Sequence, residues 1–203
     1  MRIGLMGGTF DPIHLGHLRA AETAREALGL DRVAFVPAGV PPHRGAPISP
    51  ALDRYAMVCL ATAGHAHFVP SDFEIRREGP SFTVDTVAAL LAETPAAAIT
   101  VIVGSDTFPE MPTWRDPERL FSLAEVAVVD RPGGTAEGPL PSLPPGARGV
   151  HRVSGPGLAV SATSVRERVR RGESVSYLVP ETVADYITKR RLYAPMPSAG
   201  RDR

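Results

Sequence analysis

"RIGLMGGTFDPIHLGHLRAAETAREALGLDRVAFVP", residues Arg2 to Pro37, decides the fold. It opens with a short apolar run, "RIGLM", which breaks at a glycine turn. A helix-like stretch, "HLGHLRAAETAREALGL", comes next, and a second apolar run, "RVAFVP", closes the segment. In the middle stretch Leu18, Ala21, Ala24 and Leu28 fall on one helical face, and Gly29 is placed to end the helix. The unit reads strand, helix, strand.

The same alternation continues outward. "ITVIVG" (Ile99 to Gly104) and "VAVVD" (Val126 to Asp130) are short, apolar and rich in β-branched residues, as strands buried on both faces are. Ser49-Pro50 predicts a helix with a serine cap and proline at its first position, closed by Gly64. "TVDTVAALLAET" (Thr83 to Thr94) predicts a third. From Arg131 to Gly157 the texture changes, with 13 Gly or Pro among 27 residues. That predicts a long surface connection with one short strand near Val150 to Val153. Two helices, "SVRERVRRGE" and "PETVADYITKRRL", precede a polar tail from about Ala194 that is expected to be disordered. The βαβα order predicts an α/β fold: a Rossmann-like doubly wound parallel sheet with a helical C-terminal cap. One domain is expected over residues 1–193, its C-terminal helical part 161–193, with the tail at 194–203.

Composition narrows the class. The 203 residues are 43% hydrophobic and 22% charged, and no run approaches the ~18 apolar residues of a membrane span. "MRIGLMGG" does not resemble a signal peptide. Zero formal net charge gives no support to attraction for nucleic acid or an anionic membrane. The single cysteine, Cys59, has no intrachain disulfide partner. A cytoplasmic enzyme or binding protein is expected.

The first strand-to-helix turn of such a fold is where phosphates usually meet a helix N-terminus. "GLMGGTF" does not spell G-x-G-x-x-G, and the second strand ends in Val36-Pro37 rather than an acid, so a conventionally held dinucleotide cofactor is not expected. There is no G-K-[ST] either. What remains is a turn with open N–H groups at Gly7, Gly8, Thr9 and Phe10, followed by His14 and His17. Residues three apart on a helix share a face, and Gly16 between them would let an anion approach the backbone. An anion site, a metal pair and two locally satisfied loop histidines all remain open on these residues. The metal reading needs three or four arranged ligands, and only His43 or Asp106, far off, could join.

The stretch "GGTFDPIHLGH" resembles the first signature of the nucleotidyltransferase superfamily, a His-x-Gly-His at the start of the first helix. "VSATSVR" (Val160 to Arg166) resembles its second, a Ser/Thr-rich stretch ending in Arg at a late helix N-terminus. Further blocks are similar to those of bacterial nicotinate-nucleotide adenylyltransferases, in the same order: "VPAGVPPHR", "GPSFTVDTV", "VGSDTFPEMPTW", "RPGG" and "YLVPETVADYITKRRLY". Nearly the whole chain is covered. The departures are Arg44 where that family has lysine, Phe82 where it has tyrosine, and Ser164-Val165 where it has an acidic residue and isoleucine.

The resemblance implies the synthesis of nicotinate adenine dinucleotide from ATP and nicotinate mononucleotide, as a step of NAD biosynthesis. It implies that His14 and His17 hold ATP phosphates near the reacting centre, and that Ser161, Thr163, Ser164 and Arg166 take the β- and γ-phosphates. His43 and Arg44 would reach toward phosphates from the loop after strand two. Gly104 and Asp106 would meet a ribose, an ordinary helix cap being the rival role for Asp106. Trp114 would stack on the pyridine ring, against the rival of core packing. Backbone N–H groups at Phe82 and Thr83 would lie near the nicotinate carboxylate, with Arg131 in the same pocket. Mg2+ would arrive with ATP, with no dedicated metal site on the protein. The partners implied are these small molecules alone, with self-association left open. Nicotinamide mononucleotide, phosphopantetheine and a non-catalytic nucleotide sensor stand as alternatives.

Overall fold

The computed structural model of the chain describes residues 1–42, 48–130 and 143–194. Its centre is a six-stranded sheet in the order β3-β2-β1-β4-β5-β6, with every neighbouring pair parallel. The strands are β1 (Arg2–Gly8), β2 (Arg32–Pro37), β3 (Phe68–Pro70), β4 (Ala98–Gly104), β5 (Glu125–Val129) and β6 (Val150–Val153). Parallel strands covered on both sides should be apolar at successive positions. Val126 and Val128 of β5 accordingly face one core, and Ala127 and Val129 the other. In β4, Val101 and Val103 go to one side and Ile102 to the opposite one.

The helices sort by face. On one side α1 (Leu15–Leu28) packs Ala21 and Ala24 against Val33, Phe35 and Ile102, joined by α2 (Ala51–Thr62), α6 (Ala162–Arg170) and α7 (Glu181–Arg190). On the other, α4 (Thr83–Glu93) and α5 (Pro117–Leu123) bury Val84, Val87, Leu120 and Phe121 against Ile3, Leu5 and Val101. A short helix, α3 (Phe73–Arg76), precedes α4. Helix α1 ends as its sequence predicts. Gly29 takes a left-handed cap at φ 58°, and the N–H of Leu30 reaches back to the carbonyl of Arg25 at 2.9 Å.

Two points differ from the sequence reading. Ser49 does not cap α2; Pro50 is the N-cap, and Ser49 is drawn inward, its N–H donating to Asp11 Oδ2 at 3.3 Å. β3, α3 and a 3-10 helix at Phe108–Thr113 have no counterpart in the sequence reading, each being too short to carry a period. β3 did leave a trace, since "FVP" occurs at both Phe35 to Pro37 and Phe68 to Pro70. Of the glycine- and proline-rich connection, residues 131–142 lie outside the described residues; β6 occupies the four positions expected for it. The tail from residue 195 also lies outside them. No helix among the described residues is long and apolar enough to cross a membrane.

Candidate active site

β1 sends its connection over one face through α1, whereas β4 is entered from α4 on the other face. The strand order therefore reverses between β1 and β4, and a crevice opens beyond their carboxyl ends. A cleft of about 580 Å³ occupies that place. Gly7, Gly8, Thr9 and Phe10 reach it from the end of β1, His14 and His17 from the start of α1, and Gly104 and Asp106 from the end of β4. Ser161, Thr163 and Arg166 line it from α6, and Phe82, Thr83 and Trp114 form the wall beside α4. His43, Arg44 and Arg131 lie outside the described residues.

The histidine pair is built into a helix start. His14 is the N-cap of α1 in extended conformation, and its N–H donates to Nδ1 of His17 at 3.2 Å. The two rings stack at 3.6 Å between centroids, and the Phe10 ring meets His17 edge-on at 5.0 Å. Gly16 is needed for this packing. A Cβ there would stand 2.9 Å from Val160 Cγ1 and 3.0 Å from His14 Nδ1, closer than side chains approach.

At α6 a capping box consumes part of the helix start. The N–H of Ser164 donates to Ser161 Oγ at 3.1 Å, and the N–H of Ser161 to Ser164 Oγ at 3.2 Å. Ser164 thus serves its own helix cap and is not among the residues that line the cleft. Arg166 is aimed by two bonds, from Nη1 to the carbonyl of Asp11 at 2.7 Å and from Nη2 to Thr163 Oγ1 at 3.1 Å. Its buried Nε has no hydrogen-bond partner among the described residues. The α4 start is different. Its N-cap is Phe82, no side chain caps it, and the first N–H groups there have no intrahelical acceptor. Thr83 is the first helical residue. Trp114 is half-buried, packing on the second core while lining the cleft, so core packing does not remove it from the crevice. Asp106 is exposed and sits one residue before Thr107, the actual cap of the 3-10 helix.

Four residues that hold this site together escaped the sequence reading. Asp11, buried, accepts from the N–H of Ile48 at 2.8 Å and from the Tyr193 hydroxyl at 2.6 Å. Arg54 is 1% exposed and donates to the carbonyls of Thr9 (2.7 Å), Gly39 (3.2 Å) and Ser49 (3.3 Å). Burial lowers the pKa of its guanidinium, an effect the Asp11 charge opposes. Burial likewise raises the pKa of Tyr193, with the bond to Asp11 acting in the same direction. Glu74, buried at the cleft wall, accepts from the Thr86 hydroxyl at 2.5 Å, and desolvation raises its pKa. Only Arg54 left a sequence signal: it shares a helical face with Met57 and Val58, where a charge is out of place.

Such an arrangement can bind a polyanion between two helix starts and seat an aromatic acid beside a third. A family model described as cytidylyltransferase-like matches residues 5–168. A protein of Leifsonia xyli subsp. xyli named "Probable nicotinate-nucleotide adenylyltransferase" is 44% identical over 192 residues, covering 95% of this chain and 94% of its own. One of the same name from Thermus thermophilus is 45% identical over 194 residues, covering 95% and 100%. The fold is shared with the nicotinic acid mononucleotide adenylyltransferase of Plasmodium falciparum complexed with NaAD. That likeness has a TM-score of 0.77 at 16% identity, covering 95% of this chain and 97% of that one. With its paired helix starts and the relatives it matches along nearly its whole length, the chain belongs to the cytidylyltransferase-like family and, within it, to the nicotinate-nucleotide adenylyltransferases.

Proposed function

We propose that the chain transfers the adenylyl group of MgATP to the phosphate of nicotinate mononucleotide, giving nicotinate adenine dinucleotide and magnesium pyrophosphate. The observation that carries this reading is the convergence of His14, His17 and Arg166 in the cleft that Phe82, Thr83 and Trp114 also line. A phosphate-binding end and an aromatic-acid end in one crevice match the two substrates.

A phosphate oxygen of the mononucleotide attacks the α-phosphorus of ATP, and the bond from that phosphorus to the α,β-bridging oxygen breaks. The nucleophile is already anionic near neutrality, its second pKa being about 6, so no protein base or nucleophile is required. Catalysis then consists of holding two polyanions in line and stabilising charge on the transferring group. In this reading His14 and His17 donate to the α-phosphate region, and the Nε2–H of His17 is the transition-state contact. Arg166 and the N–H groups at the start of α6 take the β- and γ-phosphates. Gly104 and Asp106 meet the ribose, and Trp114 stacks on the pyridine. The uncapped N–H groups of α4 receive the nicotinate carboxylate. The phosphate and pyridine-pocket roles that the resemblance implies for His43, Arg44 and Arg131 are retained in this reading.

Magnesium belongs here to the nucleotide substrate, where it neutralises phosphate charge. Such an ion typically keeps several waters and binds through substrate phosphates. A cytoplasmic setting goes with a reaction that consumes ATP. Pyrophosphate release with ATP plus nicotinate mononucleotide, its amide or phosphopantetheine tests the proposal. The acid mononucleotide is expected to give the highest kcat/KM, and the absence of turnover with all three would overturn the enzyme reading.

A further inference from the structure

Arg166 meets Asp11 at the main chain and not at the carboxylate. Its Nη1 donates to the Asp11 carbonyl at 2.7 Å. The carboxylate of the same residue is closed by other donors. Oδ2 accepts from the N–H groups of Ile48 at 2.8 Å and Ser49 at 3.3 Å, and Oδ1 accepts from the Tyr193 hydroxyl at 2.6 Å.

We propose that Tyr193 is a positioning residue for nucleotide binding: by filling Oδ1 of Asp11, its hydroxyl keeps that carboxylate from capturing Arg166 and leaves the guanidinium to the phosphates. The proposal rests on the reaction proposed above, in which Arg166 takes the β- and γ-phosphates. Asp11 is 4% exposed, so an oxygen left bare there is poorly served by water and draws the nearest cation with a hydrogen to give. Arg54 is not that cation. Each of its guanidinium nitrogens already donates to a carbonyl, those of Ser49, Thr9 and Gly39. Arg166 lies against Asp11 through Nη1, and its Nε has no hydrogen-bond partner among the described residues. Burial raises the pKa of the Tyr193 hydroxyl, and the Arg166 charge opposes that rise, so hydroxyl, carboxylate and guanidinium form one cluster.

A guanidinium bonds a carboxylate more strongly than it bonds a carbonyl. Without the tyrosine hydroxyl, Arg166 should therefore turn from the cleft toward Oδ1. The pyridine end should be spared, because Phe82 and Trp114 pack on the core of one sheet face and Tyr193 on that of the other.

Titration calorimetry on the full chain, with α,β-methylene ATP and Mg2+ or with nicotinate mononucleotide, reads the two ends apart from turnover. Tyr193→Phe should weaken nucleotide binding by about tenfold and mononucleotide binding by less than about twofold. Losing one hydrogen bond leaves a domain of ordinary stability folded, and circular dichroism of the same preparation checks it. Adding Asp11→Asn is the deciding step. The asparagine oxygen still accepts from Ile48 and Ser49, while its NH2 replaces Oδ1 and carries no negative charge to attract a guanidinium. The double variant should recover nucleotide binding to within about threefold of wild type, although a purely structural role predicts further loss. Equal weakening toward both ligands, no weakening by Tyr193→Phe, or a double variant no better than the single one would overturn the role of Tyr193. This pattern of binding without turnover would instead overturn the proposed reaction and leave the role standing, whereas a wild-type chain that does not bind the nucleotide would overturn both.

Discussion

At His17 the backbone decides which ring nitrogen carries the hydrogen. The N–H of His14 occupies Nδ1, so the neutral imidazole bears its hydrogen on Nε2. A donor fixed in this way costs no reorganisation when charge develops on a phosphate. His17→Ala should therefore lower kcat by about 10² or more. Its far-ultraviolet circular dichroism should remain that of the wild type, since α1 keeps the rest of its packing. Wild-type turnover in a folded variant, or an 15N spectrum showing the hydrogen on Nδ1 of the neutral ring, would contradict the role. Gly16 belongs to the same local design. In most helices alanine is favoured over glycine by about 1 kcal/mol, but here a methyl group would press on the His14 ring.

At the scale of elements, three helix starts have been given three different treatments. α1 is capped by the histidines that serve the cleft, α6 by a serine pair, and α4 by no side chain at all. The first two were legible because the residues that do the work are adjacent in the chain. The third was not, since an unfilled cap leaves no letter to read. Glu74 was hidden for a related reason: it joins α3 to α4 through Thr86, and α3 is only four residues long. Its titration gives a test of that joint. Burial raises its pKa above the ordinary value of 4.5, so the folded protein holds this proton more tightly than the unfolded chain. The stability it contributes is complete below the unfolded value and is lost as pH rises through the folded one. Glu74→Gln does not titrate, and should gain stability relative to wild type as pH rises across that window. Urea unfolding at a series of pH values measures the difference, and a stability of the variant minus that of wild type that stays flat or falls with rising pH would refute the assignment.

For the whole molecule, the fold was legible from period and order, because parallel strands and covering helices repeat their patterns many times. The two helix starts proposed to hold phosphates were legible as motifs. What ties them together was not, since Asp11, Arg54 and Tyr193 meet as single residues from distant parts of the chain and no spacing announces them. Tyr193→Phe removes one hydrogen bond to a buried carboxylate and should cost about 1.5–3 kcal/mol. Asp11→Ala also strands the Ile48 N–H and leaves the Arg54 charge without its nearby counter-charge, so about 3–5 kcal/mol is expected. Because the two act through one bond, adding Tyr193→Phe to Asp11→Ala should cost far less than Tyr193→Phe alone. Additive losses in urea unfolding would show that the two residues are not coupled.

The bond between Asp11 and Tyr193 spans 182 positions, and that span has a meaning during synthesis. A ribosome adding ~5–20 residues per second takes roughly 10–40 s to travel it. For that interval the aspartate of the histidine loop has been added to the chain while the tyrosine that anchors it does not yet exist. Until then nascent chains carry the motif without its fastening, so the loop can settle into its final packing only once the last helix has been made.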